Sequence, residues 1–96
     1  MYGSVARVKV RPGAYEELER LGREEMPHIP GFVFQHTYRL DADPDTLMLV
    51  IAFESKEAYQ ANASSPEQAA RYEQFRDLMA SDPEWNDGEI VHSHSQ

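Results

Sequence analysis

Three side chains stand out by type and spacing as groups that could do chemistry: Asn62, Tyr72 and His36. Asn62 follows Ala58 by four residues and Tyr59 by three, so on a helix the three share one face. Asn suits a helix interior poorly, because its side chain competes for backbone hydrogen bonds. Holding a substrate oxygen in a pocket would offset that cost. The plainer alternative is an Asn that ends a short helix before Ser64-Ser65. Tyr72 shares an apolar stripe with Ala69, Phe75 and Met79. Its hydroxyl is either a pocket donor or the satisfied tip of a core residue. His36 stands in a row with Phe32, Phe34, Tyr38 and Leu40. Imidazole titrates near about pH 6.5 when unperturbed, which suits a general base, although a hydrogen-bonded core or interface histidine is the alternative.

Other constellations are weaker. His92 and His94 are two apart on an expected strand and could chelate a metal, but no Cys or third ligand accompanies them and polar residues surround them. Asp41-Ala42-Asp43-Pro44-Asp45 imitates the start of a calcium loop. Thr46 stands where that loop needs glycine and Ala52 where it needs glutamate, so calcium is rejected. No Gly-rich phosphate loop, Walker signature or Ser-His-Asp order is present.

The elements that position these groups are organised around Leu47–Phe53, an unbroken apolar run. It is too short for a buried helix and reads as a strand, with Leu47, Leu49, Ile51 and Phe53 on one face and Met48, Val50 and Ala52 on the other. Both faces are apolar, so both need cover. Before it, Tyr2–Val10 reads as a strand with an apolar row at Ala6, Val8 and Val10. Ala14–Met26 reads as an amphipathic helix with Leu18, Leu21, Gly22 and Met26 on one stripe. Pro27–Gly31 reads as a turn. Phe32–Leu40 alternates cleanly as a strand, its row of Phe32, Phe34, His36, Tyr38 and Leu40 opposite Val33, Gln35, Thr37 and Arg39. Asp41–Thr46 is a hairpin loop. Ser55 is a good N-cap, and Ser65-Pro66-Glu67-Gln68 forms a capping box with proline at the first helical position. Ser81-Asp82-Pro83 closes the second helical region, Asn86-Asp87-Gly88 makes a turn, and Glu89–His94 is expected as the last strand.

The order strand, helix, strand, strand, helical region, strand is the split βαβ pattern of an α+β, ferredoxin-like βαββαβ fold. Four antiparallel strands would carry helices on one face only. The other face has no cover within the chain, so a homodimer with two sheets face to face is expected.

Composition sets the outer bounds. Ninety-six residues suit a single domain, residues 1–96, with 41% hydrophobic and 27% charged residues. A domain this small buries only about 60–70% of its unfolded surface, which makes self-association a plausible source of stability. The net charge of −8 opposes nucleic acid and anionic membrane surfaces, and Arg7, Lys9 and Arg11 make only a weak basic patch. The absence of cysteine excludes disulfides, Cys-ligated zinc and thiol catalysis and fits a cytoplasmic location. No signal peptide and no apolar run long enough to span a membrane is visible.

Several segments together resemble the antibiotic-biosynthesis-monooxygenase-like branch of the dimeric α/β-barrel superfamily. They are Val8-Lys9-Val10-Arg11-Pro12-Gly13, Ile29-Pro30-Gly31-Phe32, Phe53-Glu54-Ser55-Lys56-Glu57-Ala58-Tyr59 and Ser64-Ser65-Pro66-Glu67. The resemblance covers nearly the whole chain and implies a sheet order of 4-1-3-2, a dimer, and a pocket between sheet and helices. Haem-degrading relatives place an Asn on the first strand, a Trp after the third and a His ten residues further on. Ala6, Asn62 and Tyr72 hold those positions here, so all three depart. Cofactor-free oxygenases of the family tend to use amide and phenol groups, which Asn62 and Tyr72 would supply, and a nearby Trp. The single tryptophan, Trp85, falls in the Pro83–Gly88 turn on this reading.

The resemblance therefore implies a monooxygenase acting on a small aromatic hydroxyl or quinol compound without metal, flavin or other cofactor. Tyr72 and Asn62 would orient oxygen atoms, and His36 would serve as base. Two other readings remain at this point: a non-catalytic homodimer that binds a small apolar or aromatic ligand, and an isomerase or cyclase that moves protons with a single His.

Overall fold

The computed structural model of the chain describes residues 1–25 and 29–96. The Met26 end of the expected first helix and the Pro27-His28 part of the expected turn lie outside the described residues. The elements run β1 (Tyr2–Lys9), α1 (Tyr15–Glu25), β2 (Phe32–Arg39), β3 (Thr46–Phe53), α2 (Lys56–Ala63), α3 (Pro66–Arg76) and β4 (Glu84–Glu89). The four strands form one antiparallel sheet in the order β2-β3-β1-β4, as expected, and the fold is α+β and ferredoxin-like.

Apolar alternation and the two caps account for most of this layout. In β1, Ser4, Ala6 and Val8 are buried while Val5, Arg7 and Lys9 are exposed. The register pairs Val8 with Leu47 and Ala6 with Leu49, so one row of each central strand faces the helices together. The Ser55 hydroxyl accepts from the Ala58 amide, and that of Ser65 from the Gln68 amide, each at 3.1 Å. Pro66 occupies the first turn of α3. These caps satisfy donors that a helix start otherwise leaves unpaired.

The core splits into two groups. Ala6, Val8, Val10, Leu18, Leu47 and Met79 form one at the α1 end of the sheet. Ile29, Ile51 and Phe53 form the other beside α2, with Phe32, Ala58 and Tyr59 against it. Leu49 touches both. Neither α2 nor α3 contains a buried residue, so these helices stand over the sheet without sealing onto it. The α3 helix also stops earlier than its apolar stripe suggested. Asp77 caps it, and Met79 joins the core from an isolated bridge to Val10.

Two expectations are corrected. The last strand is Glu84–Glu89 rather than Glu89–His94, so Asn86-Asp87-Gly88 is paired strand and not a turn; Val5 opposes Asn86 and Ser4 opposes Asp87. The alternation of β2 is also broken. A bulge lies between Phe32 and Phe34, where Phe32 pairs with Phe53 but Phe34 pairs with Ala52. An extra residue in one strand reverses the side-chain phase beyond it. Phe32 therefore faces the helices with Gln35 and Thr37, while Phe34, His36 and Tyr38 face the uncovered side.

Gly31 joins the second core group to β2 with φ +77°, and a methyl added there would lie 2.6 Å from the Ala58 Cβ. Its carbonyl also accepts from the Glu54 amide at 2.8 Å. Left-handed backbone strain and this collision together should make Gly31→Ala destabilising by about 2 kcal/mol, a fall of roughly 10 °C in Tm. Thermal and urea unfolding against wild type would measure it.

Candidate functional site

The unsealed helical layer leaves a partly enclosed cavity of about 830 Å³ between the sheet and the helices. This falls within the range that holds small organic ligands. Its floor is the inward row of β3, from Leu47 to Phe53. Tyr72 and Phe75 of α3, Leu18 of α1 and Trp85 of β4 supply further walls. Aromatic edges meet at one end, where the Phe53 ring lies edge-on to Phe32 at 5.9 Å and to Tyr59 at 5.5 Å. Such T-shaped contacts fix ring positions as well as burying area.

The sequence-expected groups do not converge. Tyr72 lines the cavity. Asn62, near the end of α2, meets the wall through Gln68. Its Nδ2 donates to Gln68 Oε1 at 3.3 Å, and its Oδ1 accepts from Arg71 at 2.9 Å. Arg71 also donates through Nε to Gln68 Oε1 at 3.2 Å, which closes a three-residue network across the α2–α3 junction. Gln68 is the member that lines the cavity. His36 is exposed on the opposite face of the sheet, opposite Val50 and 4.8 Å from the Phe34 ring, because the bulge turned its row outward. His92 and His94 lie exposed beyond β4. Among the described residues no three His, Cys, Asp or Glu side chains gather as metal ligands would.

Other polar groups take their place. Gln35 and Thr37 of β2 line the cavity and are hydrogen-bonded to each other at 3.2 Å. At the β4 end, the Tyr59 hydroxyl donates to Asp87 Oδ1 at 2.8 Å, and both residues line the cavity. Burial first, then the hydrogen bond and negative charge of Asp87, push the Tyr59 phenol up to about 12, with the nearby Ser4 hydroxyl pulling the other way. Ser4 Oγ is itself buried and makes no hydrogen bond of good geometry. Tyr59 was legible only as a neighbour of Asn62 on the inner face of α2. Trp85 and Asp87 were hidden by turn-forming neighbours, and only pairing with β1 makes their segment a strand.

The folded protein holds the Tyr59 proton more tightly than the unfolded chain does. Its contribution to stability is complete below about pH 10 and is lost as pH rises to about 12. Urea unfolding at about pH 9 and about pH 11 should show a decline in unfolding free energy that is smaller in Tyr59→Phe.

The sequence profile of the family described as antibiotic biosynthesis monooxygenase matches residues 1–74, from β1 through most of α3. No curated protein matches the chain. Among solved structures, a protein from Chloroflexus aurantiacus J-10-fl described as a candidate antibiotic biosynthesis monooxygenase superposes with a TM-score of 0.80 at 24% identity, over 98% of this chain and 96% of that one. SnoaB, a cofactor-independent oxygenase from Streptomyces nogalater crystallised as a mutant, gives a TM-score of 0.82 at 17% identity, over 99% and 97%. A candidate antibiotic biosynthesis monooxygenase from Deinococcus radiodurans gives 0.79 at 11% identity, over 100% and 98%. At these identities the structures speak for a common fold. With the profile match over three quarters of its length, the chain belongs to the antibiotic biosynthesis monooxygenase family.

Proposed function

We propose that the protein is a cofactor-independent monooxygenase acting on a small aromatic hydroxyl or quinol compound. The observation that carries this reading is the cavity, about 830 Å³ and walled mainly by aromatic and aliphatic side chains, in a member of this family. The reaction needs no external reductant. A phenol that gives up a ring hydrogen and its hydroxyl hydrogen to become a quinone supplies four electrons. Dioxygen accepts them, one of its atoms entering the ring and the other leaving as water. The protein's share is to exclude bulk water and to offer hydrogen bonds to the oxygen atoms as charge develops on them. Tyr72 would make such a contact directly. Asn62 would act through Gln68, whose amide it orients together with Arg71. His36, on the other face of the sheet, has no part in this reading.

The second reading, a small-ligand-binding homodimer without catalysis, is favoured by one observation: the Asn62 side chain is already engaged by Arg71 and Gln68. In both readings the protein is a homodimer. The uncovered sheet face supports this, since Val5 and Tyr38 are 44% and 60% exposed there with Phe34, Met48 and Val50 beside them. Apolar surface of this kind marks an association site.

Oxygen uptake with a panel of hydroquinones and naphthols should exceed the uncatalysed rate, and Tyr72→Phe should lower kcat/KM by roughly tenfold, the worth of one hydrogen bond to a developing charge. Uptake at the background rate, with tight binding retained, would favour the second reading. Light scattering should report twice the 11.0 kDa of one chain.

A further inference from the structure

The formal charges of the cavity wall do not cancel. Glu19 and Arg23 both line it and are paired with each other at 2.8 Å along α1. Asp87 lines it as well, and its side-chain partner is the hydroxyl of Tyr59. Among the described residues no cation is paired with it. Tyr59 keeps its proton up to about 12, so it donates a hydrogen bond without neutralising the carboxylate. That bond occupies Oδ1, and a carboxylate has acceptor sites on both oxygens.

A second anomaly adjoins the pair. Ser4 is the register partner of Asp87 on β1, and its Oγ is buried and unpartnered. Trp85, two residues before Asp87 on the same strand face, lines the cavity beside it. This end of the cavity therefore combines an acceptor of uncompensated charge with an aromatic wall, and the buried Ser4 hydroxyl lies behind them beside Tyr59 rather than in the lining. Trp85 and Asp87 both lie beyond the stretch matched by the family profile, so this arrangement is not read from that match.

We propose that Asp87 determines the specificity of the cavity: it accepts a hydrogen bond from the hydroxyl of a neutral aromatic ligand and turns away aromatic carboxylates of the same size. The inference rests on the cavity being the ligand site of the proposed function, and not on whether turnover follows. A hydroxyl donating to a carboxylate gains more than one donating to a neutral acceptor, whereas a second carboxylate at the same spot meets like-charge repulsion. The same hydrogen bond shifts electron density onto the ligand oxygen, the direction that prepares a phenol to react with dioxygen.

Trp85 is the only tryptophan of the chain, so its fluorescence reports occupancy of the cavity. Anaerobic titrations of the full chain with 2-naphthol, its methyl ether and 2-naphthoate test the proposal. Wild type should bind 2-naphthol at least about tenfold more tightly than the ether, and naphthoate more weakly than either. Asp87→Asn should admit naphthoate, and Asp87→Ala should bring the naphthol-to-ether ratio within about threefold. Asp87 is exposed, and circular dichroism would verify that both variants fold. A ratio unchanged in the folded Ala variant, or wild type that does not discriminate, overturns the proposal. Discrimination that depends on Asp87, in a protein that shows no oxygen-dependent turnover, upholds this inference while removing the oxygenase reading.

Discussion

The structure depends on shielding the inward face of one central strand, β3, from water. β3 lies between β1 and β2, so its backbone groups are paired on both edges. Its inward row, Leu47, Leu49, Ile51 and Phe53, is at once the base of both core groups and the floor of the cavity. Core and site therefore draw on the same side chains. Phe53, 2% exposed, orders Phe32 and Tyr59 by edge contacts while it forms part of the floor. The space exists because α2 and α3 are held by caps and by the Asn62–Gln68–Arg71 network and bury no side chain of their own.

The inner strands and the helix starts were legible because each rests on local chemistry: alternation in β1, an apolar run in β3, serine caps at Ser55 and Ser65; the sheet order was implied by the family resemblance. What could not be read depends on pairing. The segment Glu84–Glu89 contains Asn, Asp and Gly in a row and no apolar alternation, which locally means a turn. It becomes a strand only because the free edge of β1 supplies its hydrogen bonds. Misreading that segment moved Trp85 from the cavity wall to a turn and concealed Asp87.

The treatment of His36 shows the same limit at the level of one residue. Phe34 and Tyr38 do share its row, but the bulge sends Phe32 to the opposite face, so the row does not line the cavity as a base there would require. A bulge carries no composition signal here, because Phe32, Val33 and Phe34 are all good strand residues. Asn62 was a closer case. Its position near the end of α2 matches the plainer reading, and its amide braces Gln68, a residue of the wall, from behind.

The bulge in β2 has an implication for how this fold diversifies. The strand carries two interleaved sets of side chains, Gln35 and Thr37 against Phe34, His36 and Tyr38, and the irregularity after Phe32 decides which set becomes lining. Moving that irregularity a few positions along would exchange an amide-and-alcohol wall for an imidazole-and-phenol one while β1, β3 and the helices kept their places. A lineage could thus rewrite one wall of its chamber by relocating a single kink, leaving the floor and the helical walls as they are.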